Sequence, residues 1–329
     1  MSQVSNKRVL ITGATGLIGS HLARRLLAEG ATVIAYGRTE DKLRRVFDRD
    51  LNNKALSIVV GDVAHGLSRK NIGDVDYIFH AASPISNVDF KEKPVDTIQA
   101  NIYGSINCLE YLKEQRNGRM IVFSSIAVYG AQFSTETVVS EEETDRTDVL
   151  HSVRATYSEA KRMIEVLSHA YSTQYHVDSV IVRLGSVYGY SNPKPNMPFY
   201  DFIDKALKGK DIIIYSPGLG RKDNIYVDDV VNGLILVAEN GISGEAYNLS
   251  AGGEKDNYKS LDEIAGIIVS TVNDMNNNHN VKLVVPPFKG DREPRVMLDN
   301  SKIKQLGWKV TVSLENGIRE TIRQYMNYR

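Results

Sequence analysis

The sequence predicts an α/β fold built on a doubly wound parallel sheet, with a smaller C-terminal region packed against it. Three observations carry that expectation. Short apolar runs recur through the first half, they are continuous rather than alternating, and helical stretches separate them. Strands buried on both faces read this way, and a βαβα order covers a parallel sheet on both sides. Right-handed crossovers then wind the sheet in both directions.

The elements follow in order. Arg8-Val9-Leu10-Ile11 is the first strand and runs into glycine. Leu17 to Ala28 places Leu17, Ile18, Leu22, Leu26 and Leu27 at helical spacing. Thr32 to Tyr36, Leu56 to Val60, Tyr77 to His80, Met120 to Ser124 and Ser179 to Arg183 read as further strands. Val95 to Lys113 and Ala155 to Tyr171 read as helices between them. After about residue 185 the alternation loosens, with a Pro- and Asn-rich stretch at Ser191 to Pro198 and an Asn-rich loop at Asn276 to Asn280. The expected division is 1–184 with 222–248 as the larger part, and 185–221 with 249–329 as the smaller, forming one rigid body with a cleft.

The bulk properties narrow the function classes. Lys+Arg and Asp+Glu balance at 40 each in 329 residues, so no net field draws the chain to nucleic acid or an acidic membrane. A single cysteine, Cys108, excludes an intramolecular disulfide and fits a reducing, cytoplasmic compartment. Met1 to Arg8 is polar, unlike a signal peptide, and no apolar run is long enough to span a bilayer.

Gly13-Ala14-Thr15-Gly16-Leu17-Ile18-Gly19 joins the first strand to the first helix. Glycine permits the tight turn and a close approach of backbone N–H groups to a pyrophosphate at the helix N-terminus. The larger part is therefore expected to bind a dinucleotide. At the end of the second strand an NAD enzyme often places an acid for the ribose hydroxyls; here Gly37-Arg38 stands instead. Arginine offers a charged fork for a 2′-phosphate, which favours NADP over NAD. Asp62, in Gly61-Asp62-Val63, is placed to meet the adenine.

Tyr157 and Lys161 lie four residues apart on a helix and so share a face. An ammonium beside a phenol favours the phenolate, so the pair is expected to lower the tyrosine's pKa and serve as a general acid/base. Tyr190 and Lys194 repeat the spacing, but Pro193 between them argues against a helix. Ser124-Ser125 ends the strand Met120 to Phe123 at the sheet edge that faces a ligand cleft. A serine hydroxyl there can bond the oxygen whose proton the tyrosine exchanges. His151 reads as a loop residue rather than an additional acid or base.

The sequence resembles the extended short-chain dehydrogenase/reductase, nucleotide-sugar epimerase/dehydratase family over nearly its whole length. The likeness rests on Thr12 to Gly19, Asp62-Val63, His80-Ala81-Ala82, Asn101-Ile102-Tyr103-Gly104, Phe123-Ser124-Ser125, Val128-Tyr129-Gly130 and Tyr157 through Lys161. Arg183, Val187-Tyr188-Gly189, Tyr226-Val227-Asp228-Asp229 and Leu306-Gly307-Trp308 continue it. The resemblance implies a Rossmann fold with Ser125, Tyr157 and Lys161 as the catalytic set, Lys161 also gripping the nicotinamide ribose. It implies cofactor contacts from Gly13, Thr15, Gly16, Leu17, Ile18, Gly19, Arg38, Asp62, Val63, Ala81, Ala82, Asn101 and Val187. Substrate contacts are implied for Ser83, Ser125, Ser186, Arg221 and Arg292, with no metal.

Within the family, 4,6-dehydratases carry an Asp-Glu pair after the catalytic hydroxyl, and the related decarboxylases carry a glutamate at the place of Ala127. This chain has Ile126-Ala127, which transfer no protons. Two reactions remain: epimerisation at carbon 4 of a nucleotide-diphosphate sugar through a keto intermediate, and NADPH-dependent reduction of a 4-keto sugar. The overall pattern favours the epimerase, the Gly37-Arg38 turn the reductase. On the substrate side, Gly218-Leu219-Gly220-Arg221-Lys222-Asp223 matches the family's diphosphate-binding segment, with Lys222 a rival to Arg221 in register. Arg292 resembles the family's second phosphate-binding arginine, with Arg295 its rival, and Ser186 replaces an asparagine common in relatives. A reductase of a small carbonyl compound needs none of these arginines, and a non-catalytic dinucleotide sensor needs no Tyr157, Lys161 and Ser125. The resemblance further implies a homodimer paired through the Val95–Lys113 and Ala155–Tyr171 helices.

Overall fold

The computed structural model describes residues 4–85, 87–130, 136–215, 220–276, 280–285 and 295–327. Strands and helices alternate from the start: β1 (Arg8–Thr12), α1 (Leu17–Ala28), β2 (Thr32–Gly37), α2 (Glu40–Val46), β3 (Leu56–Val60), α3 (Arg69–Ile72) and β4 (Tyr77–His80). Next come α4 (Asn87–Glu92), α5 (Pro94–Gln115), β5 (Arg119–Ser125), β6 (Glu136–Val139), α6 (Ala155–Tyr175) and β7 (Asp178–Leu184). The second half holds β8 (Ser186–Tyr188), α7 (Pro198–Leu207), β9 (Ile212–Ile213), β10 (Arg221–Tyr226), α8 (Val227–Asn240) and β11 (Ala246–Leu249). It closes with β12 (Tyr258–Ser260), α9 (Leu261–Met275), β13 (Leu283–Val284), β14 (Arg295–Leu298), α10 (Ser301–Gln305) and α11 (Leu314–Asn327).

Seven strands form one parallel sheet in the order β11-β7-β5-β4-β1-β2-β3. The chain leaves β1 in one direction through β2 and β3, and returns to its other side with β4. Between β1 and β4 the winding therefore reverses, and a crevice opens outside the carboxyl ends of the strands. The strand side chains divide between two cores. Val9, Ile11, Val33, Phe79 and Ile121 face one side, whose core includes Leu22 and Leu26 of α1 and Val230 and Leu234 of α8. Leu10, Ile34, Ile78, Met120 and Val122 face the other, with Cys108 and Leu109 of α5 and Ile164 of α6. Each such side chain contributes about 1.5–3 kcal/mol by leaving water, so burial on both faces holds the sheet together.

The second sheet has the order β12-β10-β14-β6, with β8 paired to β10. It draws β6 from within the first 184 residues and β10 from the 222–248 segment, whereas β11 of that segment lies in the large sheet. Buried Asp223 of β10 ties the small sheet together. Its carboxylate accepts from the backbone N–H groups of Gly252, Gly253 and Leu298 at 3.1, 3.4 and 3.0 Å. Burial pushes its carboxyl up to about 6 despite those donors. Helix α6 extends past the expected Tyr171 because Ser172, Thr173 and Gln174 continue it, until His176 turns left-handed at φ 58°. Among the described residues no helix is long and apolar enough to cross a membrane.

Candidate active site

The glycine-rich turn lies directly on the end of β4. Gly13 has φ +66°, and a Cβ there would stand 2.7 Å from the Ala81 carbonyl and the Ala82 nitrogen. A Cβ on Gly19 would stand 2.5 Å from the Gly13 oxygen, so α1 sits down on the turn that precedes it. Exposed Gly16 is the N-cap of α1; no side chain caps the helix and no acid occupies its first turn. Thr15, Leu17 and Ile18 surround this end and are half-buried. Uncapped N–H groups and the positive end of the helix dipole suit a pyrophosphate, so these residues fit a dinucleotide. Beneath the turn, the Thr12 hydroxyl and His80 Nδ1 are 2.7 Å apart, and the Ala82 N–H reaches Thr12 Oγ1 at 3.4 Å. Burial, with a smaller effect of Lys161, holds His80 at about 3, so its ring is neutral.

The neighbouring candidates occupy distinct settings. Asp62 accepts the Ala64 N–H at 3.0 Å and remains partly exposed, and Val63 is buried beside it. Arg38 is exposed after β2, and the half-buried Lys42 of α2 lies close enough that burial, then the Arg38 charge, lowers its ammonium. Sequence reading misses Lys42; its signal is a cation four residues after Arg38. Buried Asn101 donates to the Thr97 carbonyl at 2.8 Å and accepts from the Ser83 hydroxyl at 2.9 Å, so its amide anchors the Ser83 loop to α5. Val187 is half-buried on β8, opposite Ile225.

Ser125, Tyr157 and Lys161 meet at the carboxyl end of β5. Ser125 is buried and hydrogen-bonds Tyr157, and its Oγ also accepts the Ala127 N–H at 3.2 Å. Lys161 Nζ lies 5.6 Å from the Tyr157 ring centroid and donates to the Phe123 carbonyl at 2.6 Å. Phe90 of α4 stacks on the tyrosine, with ring centroids 4.9 Å apart and planes 22° from parallel. That contact joins segments far apart in sequence, and no spacing announces it.

The electrostatics correct one expectation. Tyr157 is shifted up, not down: burial penalises the phenolate more than the Ser125 hydrogen bond and the Arg154 charge relieve it. Lys161 is itself pushed down to about 7 by burial, opposed by Glu165. Its Nζ faces the Phe123 carbonyl, and the charge that lowers the phenol comes from Arg154.

A buried polar network lies behind these groups. Arg183 holds Glu165 through two contacts, Nε at 3.1 Å and Nη2 at 2.8 Å, and Ser124 donates to the same carboxylate. Arg183 also donates to the Tyr129 hydroxyl at 3.0 Å, which donates to Asn248 Oδ1 at 2.6 Å. Glu165 is a neighbour of Lys161 that sequence reading passed over, although it sits one turn after it on the same helix face. Ala127 is buried in the short turn after Ser125 and brings no acid to the site.

The substrate-side candidates do not all converge. Arg221 donates to the Tyr258 carbonyl at 2.9 Å and pairs with Glu263 at 3.3 Å, so its guanidinium is engaged within the small sheet. Lys222, the next residue on β10, is exposed and faces the opposite side of the strand. Ser186 is half-buried on β8, opposite Asn224. Arg292 lies outside the described residues. His151 is exposed in the turn before α6.

Comparison with known proteins places this geometry. UDP-glucuronic acid decarboxylase 1 of Danio rerio is 29% identical over 329 residues, covering 99% of this chain and 74% of that protein. A probable UDP-glucuronate 4-epimerase of Rhizobium meliloti is 26% identical, covering 98% of each. Among solved structures, UDP-glucuronic acid 4-epimerase from Bacillus cereus, in complex with UDP-glucuronic acid and NAD, matches with a TM-score of 0.81 and 25% identity. That match covers 98% of this chain and 100% of the other. The family model for the NAD dependent epimerase/dehydratase family matches residues 9–250, from β1 through the network behind the active site, and the chain belongs to that family.

Proposed function

We propose that the protein inverts the configuration at carbon 4 of a UDP-sugar through a transient 4-keto intermediate. The observation that carries this reading is the convergence of Ser125, Tyr157 and Lys161 at the end of β5, with apolar Ile126 and Ala127 as the next residues. When bound, NAD(P) supplies the hydride acceptor and donor that no side chain provides. Tyr157 takes the proton of the carbon-4 hydroxyl as hydride leaves, and returns it after the keto sugar has presented its other face. Ser125 donates a hydrogen bond to the same oxygen. Lys161 holds the ribose edge and takes up or releases a proton beside the tyrosine. Without an acid at Ala127, neither the decarboxylation of the related UDP-glucuronic acid decarboxylases nor a dehydration finds its proton-transferring group.

A second reading has its own observation. Arg38 follows β2 and Lys42 stands near it on α2, and a pair of cations there suits the 2′-phosphate of NADPH and hence reduction of a 4-keto sugar. One experiment separates the two. The purified protein is denatured, the released dinucleotide identified, and native protein incubated with UDP-glucose or UDP-glucuronic acid. Retained NAD and a 4-inverted product support epimerisation, and Tyr157→Phe should then lose on the order of 10²–10⁴ in kcat while keeping its dinucleotide. An empty site that takes up NADPH and leaves both sugars unchanged overturns it in favour of the reductase.

A further inference from the structure

A cation not used by the reaction as described stands one helical turn before Tyr157. Arg154 is the N-cap of α6 with helical backbone angles, and its carbonyl accepts the N–H groups of Tyr157 at 2.9 Å and Ser158 at 3.0 Å. Positions 154, 157 and 161 follow the i, i+3, i+7 spacing of one helix face, so the Arg154 side chain leaves the backbone on the face that carries the phenol and the amine. Its charge reaches that phenol, where it opposes the effect of burial.

The pairing of Arg154 is incomplete. Its side chain is 48% exposed, and its one ion pair among the described residues is with Asp148, at 3.9 Å from Nε. Asp148 is buried, and its Oδ2 has no hydrogen-bond partner among the described residues. A planar guanidinium carries five donors in a fork that matches a carboxylate. Here a buried acid steadies the fork from one side while its exposed part remains open to another anion. The residues after Ser125, Ile126 and Ala127, bring no negative charge that would repel one.

We propose that Arg154 binds an anionic substituent of the sugar beside the reacting carbon, which makes the substrate class a nucleotide-linked uronic acid, with its carboxylate on carbon 5. This rests on the assignment of Tyr157 to the carbon-4 hydroxyl. With that oxygen at the phenol, the substituent of the adjacent ring carbon falls within reach of a side chain three residues earlier on the same face. Asp148 is then the positioning residue that keeps the fork oriented when no sugar is bound.

The two anions of such a substrate, its carboxylate and its diphosphate, are distinguished by comparing UDP-glucuronic acid, UDP-glucose and UDP. Affinities are measured by calorimetry on Tyr157→Phe protein with its dinucleotide bound, so that turnover does not interfere, and kcat/KM is measured on the active enzyme. The parent protein should prefer UDP-glucuronic acid to UDP-glucose, and Arg154→Gln should reduce that preference by about 10–100-fold, the range of a charge-assisted hydrogen-bonded pair. Arg154→Lys should recover part of it, and thermal melting verifies that both variants fold. Equal losses for both sugars and UDP would assign Arg154 to the diphosphate and overturn the proposal. So would a parent protein that does not discriminate between the sugars. Failure of the epimerase reading shows differently, as absent turnover with a binding preference that still depends on Arg154.

Discussion

Lys161 shows how far burial reshapes a side chain whose spacing looked simple. Its ammonium is pushed down to about 7 because it is buried against β5, with Glu165 on the next helical turn opposing the shift. The titratable and charged groups around it are His80 on β4 and Tyr157 and Glu165 on α6. Between pH 7 and 10.5 the unfolded chain carries a proton at this lysine that the folded chain does not, so its contribution makes stability rise with pH across that window. NMR titration of isotopically methylated lysines should find one resonance with a midpoint near 7, well below the surface lysines at about 10.4. In Glu165→Gln that midpoint should move further toward acid, because the anion that sustains the charge is gone. A Lys161 that titrates with the surface lysines would sink the burial argument. Removing Glu165 also leaves Arg183 without its buried partner, at a cost of about 3–5 kcal/mol, so melting is measured alongside. At this scale Ser125, Tyr157 and Lys161 were legible because a strand end and a single helix face place them. Phe90, Lys42, Glu165 and Arg154 were not, since their significance lies in contacts or charges that the one-dimensional pattern does not rank.

Among the elements, α1 follows the sequence closely, as β3 and β4 do: Leu17 to Ala28 is both the expected helix and the observed one. Its apolar face and the glycine turn before it are local features, each readable without the rest of the chain. Strand β6 is the opposite case. Glu136-Thr137-Val138-Val139 is short and, among the described residues, pairs with β14 alone, more than 150 residues away, so nothing near it in sequence marks it as a strand. The same contrast predicts unequal effects of two alanines. Gly19→Ala places a Cβ 2.5 Å from the Gly13 oxygen and 2.9 Å from the Ala14 Cα, both backbone atoms that must move. It should cost about 1–3 kcal/mol and weaken dinucleotide binding, because the shifted turn no longer presents its N–H groups. Gly266→Ala in α9 meets only Leu283 Cδ2 at 4.0 Å and should stabilise the fold by about 0.5–1 kcal/mol through helix propensity. Differential scanning calorimetry with and without dinucleotide reads both, and a neutral Gly19→Ala would contradict the tight seating of α1 on its turn.

For the whole molecule, composition was silent about assembly, and the expectation of a dimer came from the family resemblance alone. The structure adds a physical reason. Helices α5 and α6 cover one face of the large sheet, and their outer sides expose Val95, Ile98 and Tyr103 from α5 and Met163 and Val166 from α6. A monomer seldom leaves so many large apolar side chains on one helical layer, and a two-fold axis across it would bury each set against its copy. We propose that this layer is the dimer interface. Light scattering of the purified protein should then give twice the 36.6 kDa of one chain. Val166→Glu, at a position 60% exposed in the single chain, should leave melting nearly unchanged while shifting the mass toward one chain, because the buried carboxylate finds no partner across the axis. Should the parent protein scatter as a single chain at micromolar concentration, the interface assignment fails. Should Val166→Glu remain a dimer, the axis lies elsewhere, and the apolar layer of α5 and α6 requires another partner.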